Sequence, residues 1–394
     1  MIPVSRPYLP DRKKLDAYLD GIYERNRLSN NGPLVQELTH RLEEFLGVEH
    51  LLLVGSGTLA LQVAYRALGV SGNAGPPQAN AITTPLTFVA TASSLKWEGV
   101  EPVFGDVDGE TWCLDPVSIA PRVTRDTPAV VPVHLFGNAC DVEAIEQVAR
   151  EHGLRVIYDG AHAFGVRYRG ASLLSWGDAA AISFHATKAF HTVEGGAIVF
   201  RHKADLERAR ELINFGQSGP DRISAVGVNA KMSEFHAAMG LCVLDELEEC
   251  LKPRREAWHA YETALRDCAC MQRRQTGVEN NSYVYFPVAF EDEPQMHFIR
   301  GTLEKANIQA RRYFFPALDR VPELNTSRPF SERAGDLASR MLCLSMGSGA
   351  ADTQRVLETL REVLVGSGGR RGSRQGTGEL PGTTDPASQA DGVP

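Results

Sequence analysis

Seven short apolar runs alternate with helical patterns over the first 200 residues of the chain. Each run has the length of one β-strand, and stretches between them, such as DVEAIEQVAREHG, carry apolar residues at helical spacing. This alternation predicts an α/β fold with a mostly parallel, seven-stranded sheet between helices. The predicted strands are HLLLV (50–54), AITTP (81–85), EPVFGDVD (101–108), AVVPVHLFG (129–137), RVIYDGA (155–161), DAAAISF (178–184) and GGAIVF (195–200).

The pattern changes in the second half of the chain. SEFHAAMGLCVLDELEECL and REAWHAYETALRD predict two helices with a break near Pro253, and the strand-like SYVYFPVAF follows. We therefore expect a large domain over 1–240 and a smaller α+β domain over 241–365. The remaining residues, 366–394, are rich in Gly, Ser, Pro and Thr and predict a disordered tail, because such a composition cannot offset the entropy of ordering.

Composition and charge exclude several classes of protein. With 43% hydrophobic residues, the 394-residue chain can bury a large core. A net charge of -8 disfavours general nucleic-acid binding, which usually needs a basic face. No apolar run is long enough to cross a bilayer, and the N-terminus lacks the apolar core of a signal peptide. The seven cysteines are scattered without a CxxC pair, which favours reduced thiols in the cytoplasm over a disulfide framework or a metal site.

A glycine-rich turn, VGSGTLAL, joins the first strand to a helical pattern that begins at Thr58. Free backbone N–H groups and the helix dipole favour a phosphate at such a helix start, with Gly57 and Thr58 as contacts. An ordinary helix cap, in which Ser56 or Thr58 satisfies those N–H groups, explains the same turn without a ligand.

The same turn also fits a dinucleotide-binding fingerprint, because Gly55, Gly57 and Ala60 have the GxGxxG/A spacing. That fingerprint requires an acidic residue at the end of the next strand to hold a ribose. The next strand ends in Thr-Thr-Pro (83–85), which weakens the dinucleotide interpretation.

Two charged residues follow neighbouring strands of the predicted sheet. Asp159 ends RVIYD and Lys188 comes after DAAAISF, so both should lie at the sheet edge where open α/β folds bind ligands. Asp159 could instead cap the following turn, and Lys188 could be its salt-bridge partner. Together with the phosphate turn, however, they supply what pyridoxal 5′-phosphate (PLP) requires. A lysine amine binds its aldehyde, and a carboxylate keeps its pyridine nitrogen protonated.

The chain resembles the DegT/DnrJ/EryC1/StrS family of sugar aminotransferases, which have the type I fold of PLP-dependent transferases. The similar segments follow the family's order and span nearly everything except the tail. They are SGTLAL (56–61), TTPLTFVATASSLKWEGVEPVFGDVD (83–108), PVHLFGNACDVEAI (132–145), YDGAHAFG (158–165), SFHATK (183–188), EGGAIV (194–199), GVNAKMSEFHAAMG (227–240) and ARRYFFPAL (310–318).

This resemblance implies a role for each site residue. Lys188 would hold PLP covalently and shuttle protons, and Asp159 would pair with the pyridine nitrogen. His162 would lie beside the phenolic oxygen of PLP and Phe88 would stack on its ring, although a helix-surface histidine and a plain core aromatic are the alternatives. Asn229 would reach the phosphate from a second subunit, which makes a homodimer necessary. The remaining phosphate contacts would be Gly57, Thr58 and Ser183.

Some positions depart from the family pattern or carry no firm assignment. Gly160 stands where relatives commonly have alanine. Ala230 and Lys231 stand where many relatives have Tyr or Phe followed by Arg, which would alter a contact on the substrate side. We expect local cations for a diphosphate, with Arg311 and Arg312 as the candidates. His185 could face the substrate or pack under the lysine.

The implied reaction is transamination of a keto sugar carried on a nucleoside diphosphate, with L-glutamate as amino donor. The residues of several motifs are most similar to those of enzymes that aminate C4 of dTDP-4-keto-6-deoxyglucose. The alternatives are the 3-keto isomer, another nucleotide sugar, or sugar dehydration, which family members with histidine at the lysine position perform. A regulatory sensor of the same fold is the non-enzymatic alternative.

Overall fold

The computed structural model of the chain describes residues 1–71, 79–266, 269–324, 330–347 and 349–368. Of the predicted tail over 366–394, residues 369–394 lie outside the described residues, whereas residues 366–368 end the last helix, so the prediction is wrong for these three positions. The helices are α1 (Arg12–Arg25), α2 (Pro33–Leu46), α3 (Gly57–Ala67), α4 (Ala90–Trp97), α5 (Val142–His152), α6 (Lys203–Leu212), α7 (Glu234–Asp245), α8 (Leu247–Leu265), α9 (Glu293–Lys305), α10 (Glu332–Arg340) and α11 (Ala350–Gly368). None of these described helices is long and apolar enough to cross a bilayer.

All seven predicted strands are present, and they form one sheet. Its strands are β1 (Leu51–Val54), β2 (Asn80–Thr83), β3 (Glu101–Phe104), β4 (Ala129–Val131), β5 (Arg155–Asp159), β8 (Ala179–Ser183) and β9 (Gly196–Phe200), in the spatial order β1-β9-β8-β5-β4-β2-β3. The pairs formed by β3, β2, β4, β5 and β8 are parallel. Only β9 runs against its two neighbours in this sheet, so the sheet is mostly parallel, as predicted.

Helices cover both faces of this sheet because its strands are apolar on both sides. Along β8, Ala180 and Ile182 enter one core cluster, whereas Ala179 and Ala181 enter another. Helices α2, α5 and α7 contribute to the first cluster, and α3 and α6 contribute to the second. Such two-sided burial is characteristic of parallel sheets in α/β proteins and confirms the predicted architecture.

A second, antiparallel sheet lies in the C-terminal part, as the change of pattern predicted. It consists of β12 (Cys270–Met271), β13 (Phe286–Ala289) and β14 (Met341–Leu344), and it packs with α8, α9 and α11 in a separate core cluster. The start of the chain joins this part, since Ile2 is buried in that cluster and pairs with Ile308. Two small ribbons complete the strands: β6 (Arg167–Tyr168) with β7 (Ala171–Ser172), and β10 (Gln217–Gly219) with β11 (Arg222–Ile223).

The expected helix break near Pro253 is wrong. Helix α8 continues through Pro253, and the break between α7 and α8 falls at Glu246, whose backbone leaves the helical region with φ -112° and ψ 24°. The Glu246 carboxylate accepts a hydrogen bond of 2.8 Å from the Tyr8 hydroxyl and lies 2.8 Å from Lys14 Nζ. The chain therefore turns where it anchors the N-terminal segment. A proline inside a helix costs about 3 kcal/mol, which the buried side of α8 offsets.

Three strand ends meet at one edge of the large sheet. Parallel strands β5 and β8 end side by side, with Asp159 opposite Ala181. Strand β1 ends at Val54, which pairs with Gly196 at the start of β9. The segments that follow β1, β5 and β8 are therefore neighbours in space, and they contain the glycine-rich turn, Asp159 and Lys188.

Candidate active site

A cavity of about 310 Å³ opens at this edge of the sheet. One wall comes from the segments after β1, β2, β5 and β8, and the rest of the lining includes Tyr285, just before β13, and the segment after α9. Of the residues predicted for the site, all line it except Asn229 and, of the two arginine candidates, Arg312. Its lining residues are Ser56, Gly57, Thr58, Leu61, Thr87, Phe88, Ala90, Val133, Asp159, Ala161, His162, Ser183, His185, Thr187, Lys188, Glu194, Tyr285, Arg311, Tyr313 and Phe314.

The N-terminus of α3 forms one end of the cavity. Ser56 caps the helix, because its hydroxyl accepts a hydrogen bond of 3.2 Å from the N–H of Leu59. The capping interpretation is thus confirmed, but it leaves the first N–H groups of the helix, those of Gly57 and Thr58, without a partner inside the helix. A phosphate at this position would receive them as donors.

Gly57 allows this helix start to approach the end of β8 very closely. A Cβ atom at position 57 would lie 2.8 Å from Cβ and 3.2 Å from Oγ of Ser183. Only a residue without a side chain fits there. The Ser183 hydroxyl and the N–H groups at the start of α3 consequently border the same end of the cavity.

Asp159 is buried at the end of β5, with a relative exposure of 6%. Its Oδ2 accepts a hydrogen bond of 2.7 Å from the Thr91 hydroxyl, and its Oδ1 accepts one of 3.0 Å from the N–H of Ala161. Burial raises the pKa of the Asp159 carboxyl, while these two donors and the charge of Lys188 oppose that rise. Asp159 therefore caps the turn, as one alternative proposed, and also faces the cavity.

Lys188 is half-buried in the middle of the cavity wall. Among the residues that the structure describes, no ion pair joins its amine to Asp159, so the salt-bridge alternative is wrong. Its Nζ lies 5.4 Å from the centre of the Tyr285 ring. Burial lowers the pKa of the Lys188 amine to about 8, and the charge of Asp159 opposes this shift. The amine is thus much easier to deprotonate than an ordinary lysine, as a nucleophile requires.

His162 is buried, so the alternative of a helix-surface histidine is wrong. Its Nδ1 accepts a hydrogen bond of 3.2 Å from the N–H of Phe136, and its ring lies parallel to the rings of Phe136 and Phe314. Burial, with a smaller contribution from Lys188, holds the pKa of His162 well below its usual value. A neutral imidazole whose Nδ1 accepts carries its proton on Nε2, so His162 can donate one hydrogen bond to a ligand.

Phe88 is not a core residue, since 52% of its surface is exposed at the cavity. Its ring contacts Phe314 at a centroid distance of 6.1 Å. Asn229 does not line the cavity of its own chain. It is exposed and pairs with Asn214 through the main chain.

His185 lies on the cavity wall and is exposed, so it does not pack under the lysine. Its Nδ1 is 2.8 Å from the Thr187 hydroxyl, and its Nε2 is 3.6 Å from a carboxylate oxygen of Glu194. Lys231, in contrast, lines a separate cavity of about 530 Å³ next to α2 and α6, where its amine donates to Asn214. Within one chain, Lys231 is therefore not at the cavity that contains Lys188.

Several residues of the site were not predicted from the sequence. Thr91 follows Thr87 by one helical turn, and a threonine pair beside a predicted strand end was a usable hint. Tyr285 and Tyr313 come from the C-terminal part, and their ring centroids are 4.9 Å apart. Nothing in their local pattern distinguishes them from core aromatics.

Comparison with known proteins gives the site a family context. The sequence model of the DegT/DnrJ/EryC1/StrS aminotransferase family matches residues 11–361. The dTDP-4-amino-4,6-dideoxy-D-glucose transaminase of Shigella dysenteriae is 40% identical over 367 residues, which cover 91% of this chain and 98% of the relative. The GDP-perosamine synthase of Caulobacter vibrioides is 35% identical over 373 residues, covering 92% and 98%.

A solved structure is similar over nearly the whole chain. The crystal structure of DesI, determined in the presence of its TDP-sugar product, superposes with a TM-score of 0.85 at 35% identity. The match covers 95% of this chain and 96% of DesI. The backbone described above is therefore that of a known aminotransferase fold.

Proposed function

The chain belongs to the DegT/DnrJ/EryC1/StrS aminotransferase family, and we propose that it is a PLP-dependent enzyme that aminates C4 of dTDP-4-keto-6-deoxy-D-glucose. The observation that carries this proposal is the convergence on one cavity of a helix N-terminus, a buried carboxylate and a lysine of lowered pKa. Such a combination of groups in one cleft is typical of a catalytic site.

The residues around the cavity fit PLP group by group. The free N–H groups of Gly57 and Thr58 and the Ser183 hydroxyl suit its phosphate. Asp159 suits its pyridine nitrogen, and the Nε2–H of His162 suits its phenolic oxygen. Phe88, exposed at the cavity, offers a ring face for stacking.

When bound, PLP supplies an electron sink for the carbon that loses its proton. The protein supplies the proton transfers and the surroundings. Lys188 is the only lysine among the described residues that line the cavity, so its amine would take and return the proton. Asp159 would hold a proton at the pyridine nitrogen, because a buried carboxylate with two fixed donors keeps its position.

The relatives support a nucleotide-linked sugar as substrate. The Shigella relative is named for a dTDP-linked 4-amino sugar and DesI was solved with a TDP-sugar, which favours the dTDP-4-keto sugar here. The Caulobacter relative is named for a GDP-linked sugar and makes another base the second candidate. L-Glutamate as amino donor, and a role in making an amino sugar for a natural product or surface polysaccharide, extend this proposal.

We further propose that the enzyme works in the cytoplasm as a homodimer with shared sites. The described cysteines are free thiols, in keeping with a reducing compartment. Asn229 is exposed outside its own cavity, and apolar side chains near it are exposed as well: Phe215 (51%), Val226 (79%) and Val228 (43%). A neighbouring subunit that covered this face would bury these groups and could receive Asn229 at its phosphate end.

The direct test is incubation with L-glutamate and a panel of keto nucleotide sugars, followed by NMR of the product. An amine at C4 of the dTDP-linked 6-deoxy sugar is the expected result. Amination only at C3, or of GDP-linked sugars alone, would contradict the proposed substrate but keep the proposed reaction. Elimination of a hydroxyl without amination would contradict the proposed reaction.

A further inference from the structure

Two adjacent arginines, Arg311 and Arg312, have opposite surroundings. The Nη2 of Arg312 lies 2.7 Å from a carboxylate oxygen of Glu293 and 2.8 Å from the carbonyl oxygen of Ser339. Its guanidinium carbon is 3.4 Å from the centre of the Phe315 ring, and only 11% of its side chain is exposed. Arg312 is therefore largely covered and lies away from the cavity, with its Nη2 committed to contacts within the protein.

Arg311 is exposed and lines the cavity. Its main chain is fixed, because its N–H donates to the carbonyl of Cys343 at 3.1 Å and its carbonyl accepts from the N–H of Cys343 at 2.8 Å. Its guanidinium carbon lies 4.8 Å from the ring centre of Tyr313, a contact that leaves the N–H donors unused. No carboxylate among the described residues forms an ion pair with it.

The cavity needs a partner for a substrate anion at this position. Among the described residues of one chain that line the cavity, Arg311 and Lys188 are the arginine and the lysine, and Lys188 is assigned to the chemistry. An arginine fork can bind two oxygens of a phosphate or carboxylate at once. Within its own chain, Arg311 is thus the group that could bind an anionic substrate at this cavity.

A series of side-chain contacts links Lys188 to Arg311 through two tyrosines, and it indicates which anion Arg311 binds. Lys188 contacts the Tyr285 ring at 5.4 Å, Tyr285 contacts Tyr313 at 4.9 Å, and Tyr313 contacts Arg311. Two aromatic rings thus separate the guanidinium from the reacting amine. The α-carboxylate of an amino acid is bonded directly to the reacting carbon, whereas the diphosphate of a nucleotide sugar is attached across the sugar ring from C4.

We propose that Arg311 binds the diphosphate of the nucleotide sugar and determines specificity for a nucleotide-linked substrate. This inference rests on the proposed aminotransferase function and deepens it. Tyr313 would hold the guanidinium plane, and the bridge to Cys343 would keep the main chain in place. The amino donor would bind without Arg311.

The test compares Arg311→Gln, Arg311→Lys and, as the matched control, Arg312→Gln in the PLP-loaded enzyme. Isothermal titration with dTDP, UDP and GDP should show binding about tenfold to a hundredfold weaker for Arg311→Gln, since charge-assisted hydrogen bonds are lost. Arg311→Lys should lie between Arg311→Gln and the wild type, because it keeps the charge and loses the fork. Arg312→Gln should keep the wild-type Kd and lower the Tm.

A second readout separates the substrates. The KM for L-glutamate in the first half-reaction should stay within about twofold of wild type in Arg311→Gln. Unchanged binding of all three nucleoside diphosphates to Arg311→Gln, or a rise in the KM for glutamate alone, would overturn the inference. If the wild type binds these ligands but aminates no keto nucleotide sugar, the proposed function fails while the diphosphate site stands.

Discussion

The hydroxyl of Thr91 donates a hydrogen bond of 2.7 Å to Oδ2 of Asp159. Thr87 Oγ1 lies 3.0 Å from Thr91 Oγ1, and because the single hydroxyl proton of Thr91 goes to Asp159, Thr87 is the donor in this second bond. Both threonines and the carboxylate are buried. A short chain of donors, from Thr87 just before α4 to Thr91 in its first turn, thus ends on the acid that would hold a proton on PLP.

Thr91→Val should shift the acid limb of the pH-rate profile to higher pH. The Thr91 hydrogen bond favours the ionised carboxylate, so its removal lets burial raise the pKa of Asp159 further, and the acid protonates earlier as the pH falls. The rate of the glutamate half-reaction, measured by stopped-flow absorbance from pH 5 to 9, reports this shift. Thr91→Ser keeps the hydroxyl and serves as the control.

Asp159→Asn is the limiting case of the same experiment. It keeps the shape but removes the charge, so the half-reaction should slow at every pH while PLP still binds. An unchanged rate in Asp159→Asn, or identical pH profiles for Thr91→Val and Thr91→Ser, would show that this donor chain is only structural.

Lys188→Ala should keep the fold and abolish transamination. Loss of an acid-base group costs about a hundredfold to ten-thousandfold, and loss of the covalent attachment adds to this. Circular dichroism of the purified variant tests whether the fold is kept, and NMR of the reaction mixture tests whether transamination is lost. Mass spectrometry after borohydride treatment should find PLP attached to the wild type and not to the variant. Measurable turnover in a clean Lys188→Ala preparation contradicts the assignment.

Capture of PLP by the apoenzyme should accelerate with pH, reach half its maximal rate near pH 8 and level off at higher pH. The neutral amine is the nucleophile, and burial lowers the pKa of Lys188 to about 8, so the neutral fraction rises through this range and saturates above it. Absorbance during reconstitution at a series of pH values gives the profile. Free lysine, whose side-chain pKa is about 10.4, is the reference, and a protein profile that keeps rising with the same midpoint would refute the lowered pKa.

Hybrid dimers should restore activity between two defective chains. A dimer of one Lys188→Ala chain and one Asn229→Ala chain holds one site in which both residues are intact, if Asn229 acts across the interface. Refolded mixtures should therefore exceed the summed activities of the separate variants in a coupled glutamate assay. Activities that merely add would place Asn229 outside the neighbouring site.

The sequence predicted the sheet and its ligand-binding edge because both depend on local patterns. The apolar runs identified every strand of the large sheet, and the position of Asp159 at the end of β5 and of Lys188 after β8 placed them together. The helix break was wrongly predicted near Pro253. It falls at Glu246, which contacts residues more than 230 positions earlier in the chain, and such contacts cannot be derived from a local pattern.

The facing wall of the cavity could not be derived in this way. Tyr285 and Arg311 reach the cavity because the C-terminal part packs against the large domain, where Tyr285 and Cys343 join the core cluster that contains α2, α5 and α7. No local spacing in the sequence reports that contact. Arg311 and Arg312 are adjacent and cannot be told apart from the sequence, and the structure distinguishes them by the contacts of Arg312 with Glu293 and Ser339. Asn229 remains a prediction, because its role requires a second subunit.

The close approach of Gly57 to Ser183 has a consequence for changing this protein by mutation. Positions 57 and 183 are separated by more than 120 residues but share one small volume, where an added Cβ would lie 2.8 Å from its neighbour. Their substitutions should be strongly epistatic, with most single changes harmful and few pairs tolerated. Mutant libraries that aim at new sugar substrates would therefore keep Gly57 and Ser183 unchanged and vary other residues that line the cavity, such as Tyr313 and Phe314.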